Sequence, residues 1–284
     1  MKLGVNTLLW TAAFGEEHIP LLEWIKSKGF DAVEIARFSW DGFPIAAIRS
    51  ELDRVGLGVT LCSALTGNLS LVSEEASIRK AAIDFLRQGM ESAAEIGSPV
   101  FLGPFCSPVG YLPGRRRTKQ EWDWAVEGLQ ALTSTLDRHN ITLAVEPLNR
   151  FETYFLNTTE DAVKLCREVN HPRVGILFDT FHANIEDKDF ADSIRHAAPY
   201  LRHVHACEND RGIPGSGHVD WNKVFGALQE AGYDGHVVIE SFGFTIREIA
   251  AAACIWRDLA PSVDDIAADG LRFLRVHAAA AGGA

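Results

Sequence analysis

Short apolar, β-branched runs alternate with longer helical stretches from one end of this sequence to the other, and the number of such units is what most limits the fold. The strand-like runs are Leu3–Trp10, Ala32–Ala36, Gly58–Ser63, Val100–Gly103, Ile141–Glu146, Val174–Asp179, Leu201–Ala206 and His236–Glu240. Between them lie segments of helical period. In Ala76–Ile96 the residues Ile78, Ala82, Phe85, Leu86, Met90 and Ala93 form one stripe, and Trp122–His139 reads the same way. Glycines 29, 56, 97 and 232 stand where helix C-caps belong. Eight strand-then-helix units in 284 residues predict an α/β protein, a single-domain (β/α)8 TIM barrel, a fold that takes roughly 250 residues. An open doubly wound sheet is the alternative. It normally has fewer strands and a glycine-rich phosphate loop after the first, whereas the first run here ends Leu9-Trp10-Thr11-Ala12.

No linker rich in Pro, Gly and Ser divides the chain. Residues 1–277 are expected to form the barrel, and 278–284, which are only Ala and Gly, a frayed tail. The loop-rich stretch 103–117 (GPFCSPVGYLPGRRR) falls between a strand and a helix, so it is expected to wall the pocket. No apolar run approaches the ~20 residues that span a bilayer, and the first residues lead into a strand pattern without the apolar core of a secretory signal. The expectation is a cytoplasmic protein that does not contact membranes. Five scattered cysteines without a Cys-x-x-Cys pair suggest neither a disulfide framework nor a thiolate zinc site. A net charge of −11 argues against a nucleic-acid partner, whose phosphates call for a basic face. The one basic cluster, Arg115-Arg116-Arg117 with Lys119, reads as a solvated helix entry.

The chemistry is concentrated at the ends of the last four strands. They deliver Glu146, Asp179, His205 and Glu240, and the C-terminal ends of barrel strands converge on the face that carries the active site. Each residue alone has an ordinary explanation: a helix cap, an arginine partner, a core histidine. Together they are harder to explain so, because three carboxylates at one barrel mouth repel one another unless a cation sits between them. Three carboxylates and one imidazole suit Mn²⁺, Mg²⁺ or Co²⁺; zinc more often brings further His or Cys ligands.

Four stretches carry a resemblance: Glu146-Pro-Leu-Asn-Arg-Phe-Glu152, Asp179-Thr-Phe-His182, His205-Ala-Cys-Glu-Asn-Asp-Arg211 and Ile239-Glu240-Ser-Phe. They resemble the D-tagatose 3-epimerase / D-allulose (D-psicose) 3-epimerase family of xylose isomerase-like barrels. The resemblance implies a metal-dependent ketose 3-epimerase, an isomerase acting on free ketohexoses or ketopentoses through a cis-enediolate. It implies that Glu146, Asp179, His205 and Glu240 hold the metal, most often Mn²⁺, and that Glu146 and Glu240 serve as acid and base. Glu152, His182 and Arg211 would hydrogen-bond the sugar, and a homodimer or homotetramer would be the assembly.

An apolar wall around the far end of the sugar is expected from Trp10, Leu65, Phe105 and Tyr111. The sequence departs from the family pattern at Asn6, where several members carry an aromatic residue, and in the loop Pro104-Phe105-Cys106-Ser107-Pro108. The substrate therefore stays open among ketoses. An aldose–ketose isomerase or a dehydratase on the same barrel is the alternative. A nuclease of the endonuclease IV type would call for more histidines at strand ends and a basic face, and a regulatory barrel without catalysis would have lost a ligand.

Overall fold

In the computed structural model, which describes residues 1–244 and 246–282, eight parallel strands close into one ring in chain order. The strands are β1 (Lys2–Asn6), β2 (Ala32–Ala36), β3 (Gly58–Cys62), β4 (Val100–Gly103), β5 (Thr142–Val145), β6 (Val174–Asp179), β7 (Leu201–His205) and β8 (His236–Ile239). The helices are α1 (Pro20–Lys28), α2 (Ile45–Val55), α3 (Ala76–Ile96), α4 (Lys119–Gln130), α5 (Thr133–His139), α6 (Thr159–Val169), α7 (Thr180–Glu186), α8 (Phe190–Ala197), α9 (Trp221–Glu230), α10 (Arg247–Ala252) and α11 (Val263–Gly282). The predicted barrel is the observed one, with β1 paired to β8 to close it.

Side-chain alternation along each strand decides what faces the barrel axis. Leu143 and Val145, Ile176 and Phe178, and Val237 and Ile239 join the large core between sheet and helices. Ala144 and Leu177 belong to a smaller cluster inside the barrel. Two residues beyond Ala144, Leu177, His203 and Val238 stand Glu146, Asp179, His205 and Glu240. The same parity that buries the outward residues therefore turns all four polar groups inward at the C-terminal rim.

Three local expectations changed. The first run is strand only through Asn6; its side chain accepts a hydrogen bond from the Leu8 amide at 2.8 Å and caps a 3-10 turn over Thr7–Leu9. Trp122–His139 is two helices, because the Thr133 hydroxyl bonds the Gln130 carbonyl at 2.8 Å, giving the backbone another partner at the junction. The last helix continues through Ala278 to Gly282, where the sequence reading places a frayed tail, since alanine is the best helix former; residues 283 and 284 lie outside the described residues. The basic cluster is largely paired: Arg115 with Glu121 at 2.7 Å, Arg117 with Asp161 at 2.7 Å, and Lys119 with Asp123 at 2.6 Å. No described helix is long and apolar enough to cross a membrane.

Gly103 ends β4 beside the site at φ +142°, and a Cβ there would sit 1.9 Å from the Ser63 carbonyl oxygen. Gly103→Ala should therefore cost roughly 3 kcal/mol or more in denaturant unfolding. Gly226→Ala, in α9 with nothing within 4 Å of the new carbon, should instead stabilise by about 0.5–1 kcal/mol. Equal effects of the two would contradict this account of the rim.

Candidate active site and cation centre

Glu146, Asp179, His205 and Glu240 come together as their strand positions require, each presenting a donor atom within 4.8 Å of the others. All four are buried, at 6%, 2%, 1% and 7% exposure. His205 Nδ1 lies 3.8 Å from Glu146 Oε1, 3.7 Å from Asp179 Oδ2 and 3.4 Å from Glu240 Oε2. Glu146 Oε1 and His205 Nδ1 are buried without a hydrogen-bond partner among the described residues. Orphaned polar atoms of this kind are costly and call for an explanation. A divalent ion among the four is one, because three carboxylates share a single neighbouring guanidinium. The donor set of oxygens and one imidazole suits Mn²⁺, Mg²⁺ or Co²⁺.

Electrostatics in the protein alone point the same way. Burial, and next the neighbouring Glu240, push the Glu146 carboxyl well above the usual carboxylate range. Burial opposes ionisation of Asp179 too, but Arg211 and His182 outweigh it and hold that carboxyl low. Burial lowers His205, yet Glu240 and Glu34 reverse this and raise its affinity for a proton. A site that attracts an extra proton because of its negative charge also attracts a metal cation.

Asp179 shows that the ordinary and the functional explanation coexist. One carboxylate oxygen caps α7, accepting from the Phe181 amide at 2.6 Å, while the other faces the site, 3.1 Å from Arg211 Nη1. The predicted sugar contacts also assemble. His182 accepts on Nδ1 from the Asn149 amide at 3.1 Å, and its Nε2 lies 3.2 Å from Arg211 Nη2 at the cavity. Glu152 accepts from Asn149 Nδ2 at 2.8 Å. Arg211 contacts Asp179 and Glu240 at 3.1 and 2.9 Å, and its guanidinium lies between the rings of Phe181 and Phe242, 4.1 and 4.7 Å from their centroids. Glu146, Glu152, His182, His205, Arg211 and Glu240 all line one cavity of about 320 Å³.

The expected apolar wall is the main correction. Trp10, Leu65, Phe105 and Tyr111 do not line this cavity. Trp10 turns outward and donates to Asp264 on α11 at 2.7 Å, Leu65 and Phe105 are fully buried in the core, and Tyr111 is exposed. Leu8, Phe38, Leu102, Leu148, Phe242 and Ile249 make the wall instead. Phe242 and Ile249 come from the segment after β8, which returns over the mouth as α10. Ser63 adds a buried hydroxyl without a partner among the described residues.

Glu208 was not singled out in the sequence. It is fully buried and accepts from the amides of Asn209, Gly215 and Val219 and from Trp221 Nε1, at 2.8–3.1 Å. Its four bonds tie down the loop that presents Arg211, whose backbone takes a left-handed φ of 65°. The available signal was an acid between a strand end and a Gly/Pro-rich loop, but nothing in the sequence said whether it faced in.

Matches to known proteins agree with this geometry. The sequence model of the xylose isomerase-like TIM barrel family matches residues 22–277. A probable ketose 3-epimerase of a Synechocystis species is 38% identical over 97% of this chain and 96% of its own. The D-psicose 3-epimerase of Agrobacterium fabrum is 31% identical over 93% of each chain. Among solved structures, an L-ribulose 3-epimerase superposes with a TM-score of 0.94 at 25% identity, over 99% of this chain and 95% of that one. The chain belongs to the xylose isomerase-like TIM barrel family, in its group of ketose 3-epimerases.

Glu208→Ala would leave three backbone amides and an indole N–H without their acceptor, and should lower stability by about 2–4 kcal/mol. Thermal or denaturant unfolding checks this; a loss below about 0.5 kcal/mol would mean that the loop is held elsewhere.

Proposed function

We propose that this protein is a metal-dependent ketose 3-epimerase, inverting the configuration at C3 of a free ketohexose or ketopentose. The observation that carries the proposal is the placement of Glu146 and Glu240 on strands three apart in the ring, both opening on one cavity beside a group of cation ligands. Epimerisation needs a proton removed from one face of C3 and returned to the other, which requires two acid–base groups, one ionised and one protonated at the start. The upward shift of Glu146 by burial and by Glu240 supports such an unequal pair.

Glu146, Asp179, His205 and Glu240 would hold the cation, with Mn²⁺ the expected ion and Mg²⁺ or Co²⁺ compatible donors' choices. When bound, it supplies Lewis acidity that favours negative charge on the oxygens next to C3. The chain's own groups do the rest. His182 Nε2 and the Arg211 guanidinium would hydrogen-bond sugar oxygens, and Glu152 would accept from a hydroxyl. One glutamate lifts the C3 proton while the other donates on the far face; which begins depends on the configuration at C3. Leu8, Leu102, Leu148 and Ile249 keep water from the reacting carbon. A wall with few polar groups discriminates weakly among sugars that differ away from C3, consistent with relatives named for psicose and for ribulose. Cytoplasmic location and assembly as a homodimer or homotetramer belong to the same proposal, supported by the family resemblance and by how often enzymes form symmetric oligomers.

Glu146→Gln and Glu240→Gln should each lower kcat by about 10²–10⁴-fold, read by product analysis on a panel of ketoses in D₂O. Deuterium should enter at C3 and not at C1, which separates epimerisation from aldose–ketose isomerisation. EDTA should abolish turnover and added Mn²⁺ restore it. Near-normal turnover in either variant, or aldose as the main product, would overturn the proposal.

A further inference from the structure

Below the four ligands the barrel holds a second buried polar group that the reaction above does not use. Glu34, in the middle of β2, is fully buried, and it lies in register with Asn6 of β1 on one side and Thr60 of β3 on the other. Register partners share a face of the sheet, so all three point into the barrel, toward His205. Oε1 of Glu34 is 2.9 Å from Asn6 Nδ2 and 2.7 Å from His205 Nε2; Oε2 is 2.8 Å from the Thr60 hydroxyl and 2.8 Å from His203 Nε2.

The backbone sets the direction of these contacts. The Leu8 amide can only donate, and it donates to Asn6 Oδ1 at 2.8 Å. That leaves Asn6 Nδ2 facing Glu34 Oε1 as a donor. An ionised carboxylate can only accept, so the His205 nitrogen that shares this oxygen then carries the proton. With Nε2 protonated, the neutral ring keeps its lone pair on Nδ1, the atom that faces Glu146, Asp179 and Glu240. We propose that Asn6 and Glu34 form a positioning relay, which fixes His205 in the Nε2–H tautomer and aims its Nδ1 lone pair at the cation site. The inference rests on the cation-site reading above, and it assigns a role to the residue at which the first strand departs from its family.

Glu34, His203 and His205 also satisfy the spacing of a possible metal group. The His205 contact of 2.7 Å has hydrogen-bond geometry, His203 Nε2 approaches to 2.8 Å without it, and two of the carboxylate's neighbours, Asn6 and Thr60, are themselves donors. A carboxylate that already receives hydrogen bonds from Asn6, Thr60 and His205 is occupied by donors and not by a cation. A glutamine at position 34 would present an NH₂ to one of these donor pairs and so could not satisfy all of them.

The test uses metal-free full-length protein titrated with Mn²⁺ by calorimetry, with unfolding curves to confirm that each variant is folded. Glu34→Gln should weaken Mn²⁺ binding by about 10–100-fold, and Asn6→Ala, which leaves the carboxylate in place, by about 10-fold. Co²⁺-loaded unmodified protein should show one shifted, slowly exchanging imidazole N–H signal in its proton NMR spectrum, and that signal should exchange faster in Asn6→Ala. If Glu34→Gln does not fold, Asn6→Ala and the Co²⁺ spectrum decide alone. Unchanged Mn²⁺ affinity in the folded variants, or no ring N–H signal in the unmodified protein, would overturn the relay while leaving the cation site intact. Failure of the unmodified protein to bind Mn²⁺ would overturn the site and the relay together, and turnover in the ketose assay would then have to be explained without a metal.

Discussion

Three buried carboxylates converging on one imidazole are the constraint around which this molecule is arranged. Bringing like charges together away from water costs several kcal/mol unless positive charge or donors answer them. Arg211 answers two of the three, and the orphaned Glu146 oxygen and His205 nitrogen mark where more positive charge is called for. Rigid strands make such a cluster tolerable. A donor on a flexible loop would swing out to water, whereas one fixed at a strand end cannot.

The surrounding structure keeps those groups from relaxing. Asp179 spends one oxygen on the first turn of α7, which fixes the direction of the other. Arg211 sits on a strained backbone, between two aromatic rings, in a loop fastened by the buried Glu208. His182 is turned by a backbone amide. None of these supports is next in sequence to what it supports, except for Asp179 and its own cap. The cavity is completed by α10, which adds Ile249 to a lining that also holds Leu8, Leu102 and Leu148.

Much of this was legible in the chain. Strand–helix alternation, C-cap glycines and the placing of Glu146, Asp179, His205 and Glu240 at the ends of consecutive strand-like runs led to a barrel with four donors at its mouth, because the C-terminal ends of barrel strands converge on one face. The apolar wall was not legible. Trp10 and Tyr111 have the right residue type in the right loops, but loop side chains can point either way. Trp10 was claimed by Asp264, 254 positions away. Glu34 is not legible in the sequence either, because one acid inside an apolar run looks like any other until its neighbours on the adjoining strands are known.

The sequence by itself determined the number and order of strands, the parity that turns four donors inward, and the excess of negative charge. Tertiary structure alone decided which oxygen of each carboxylate faces the others, which residues close the cavity, and that Asn6, Glu34 and Thr60 form one layer beneath His205. The physical reason is range. Periodicity and capping act over a few residues and are written consecutively, while charge compensation and cavity shape depend on groups that meet only when the ring closes β1 against β8.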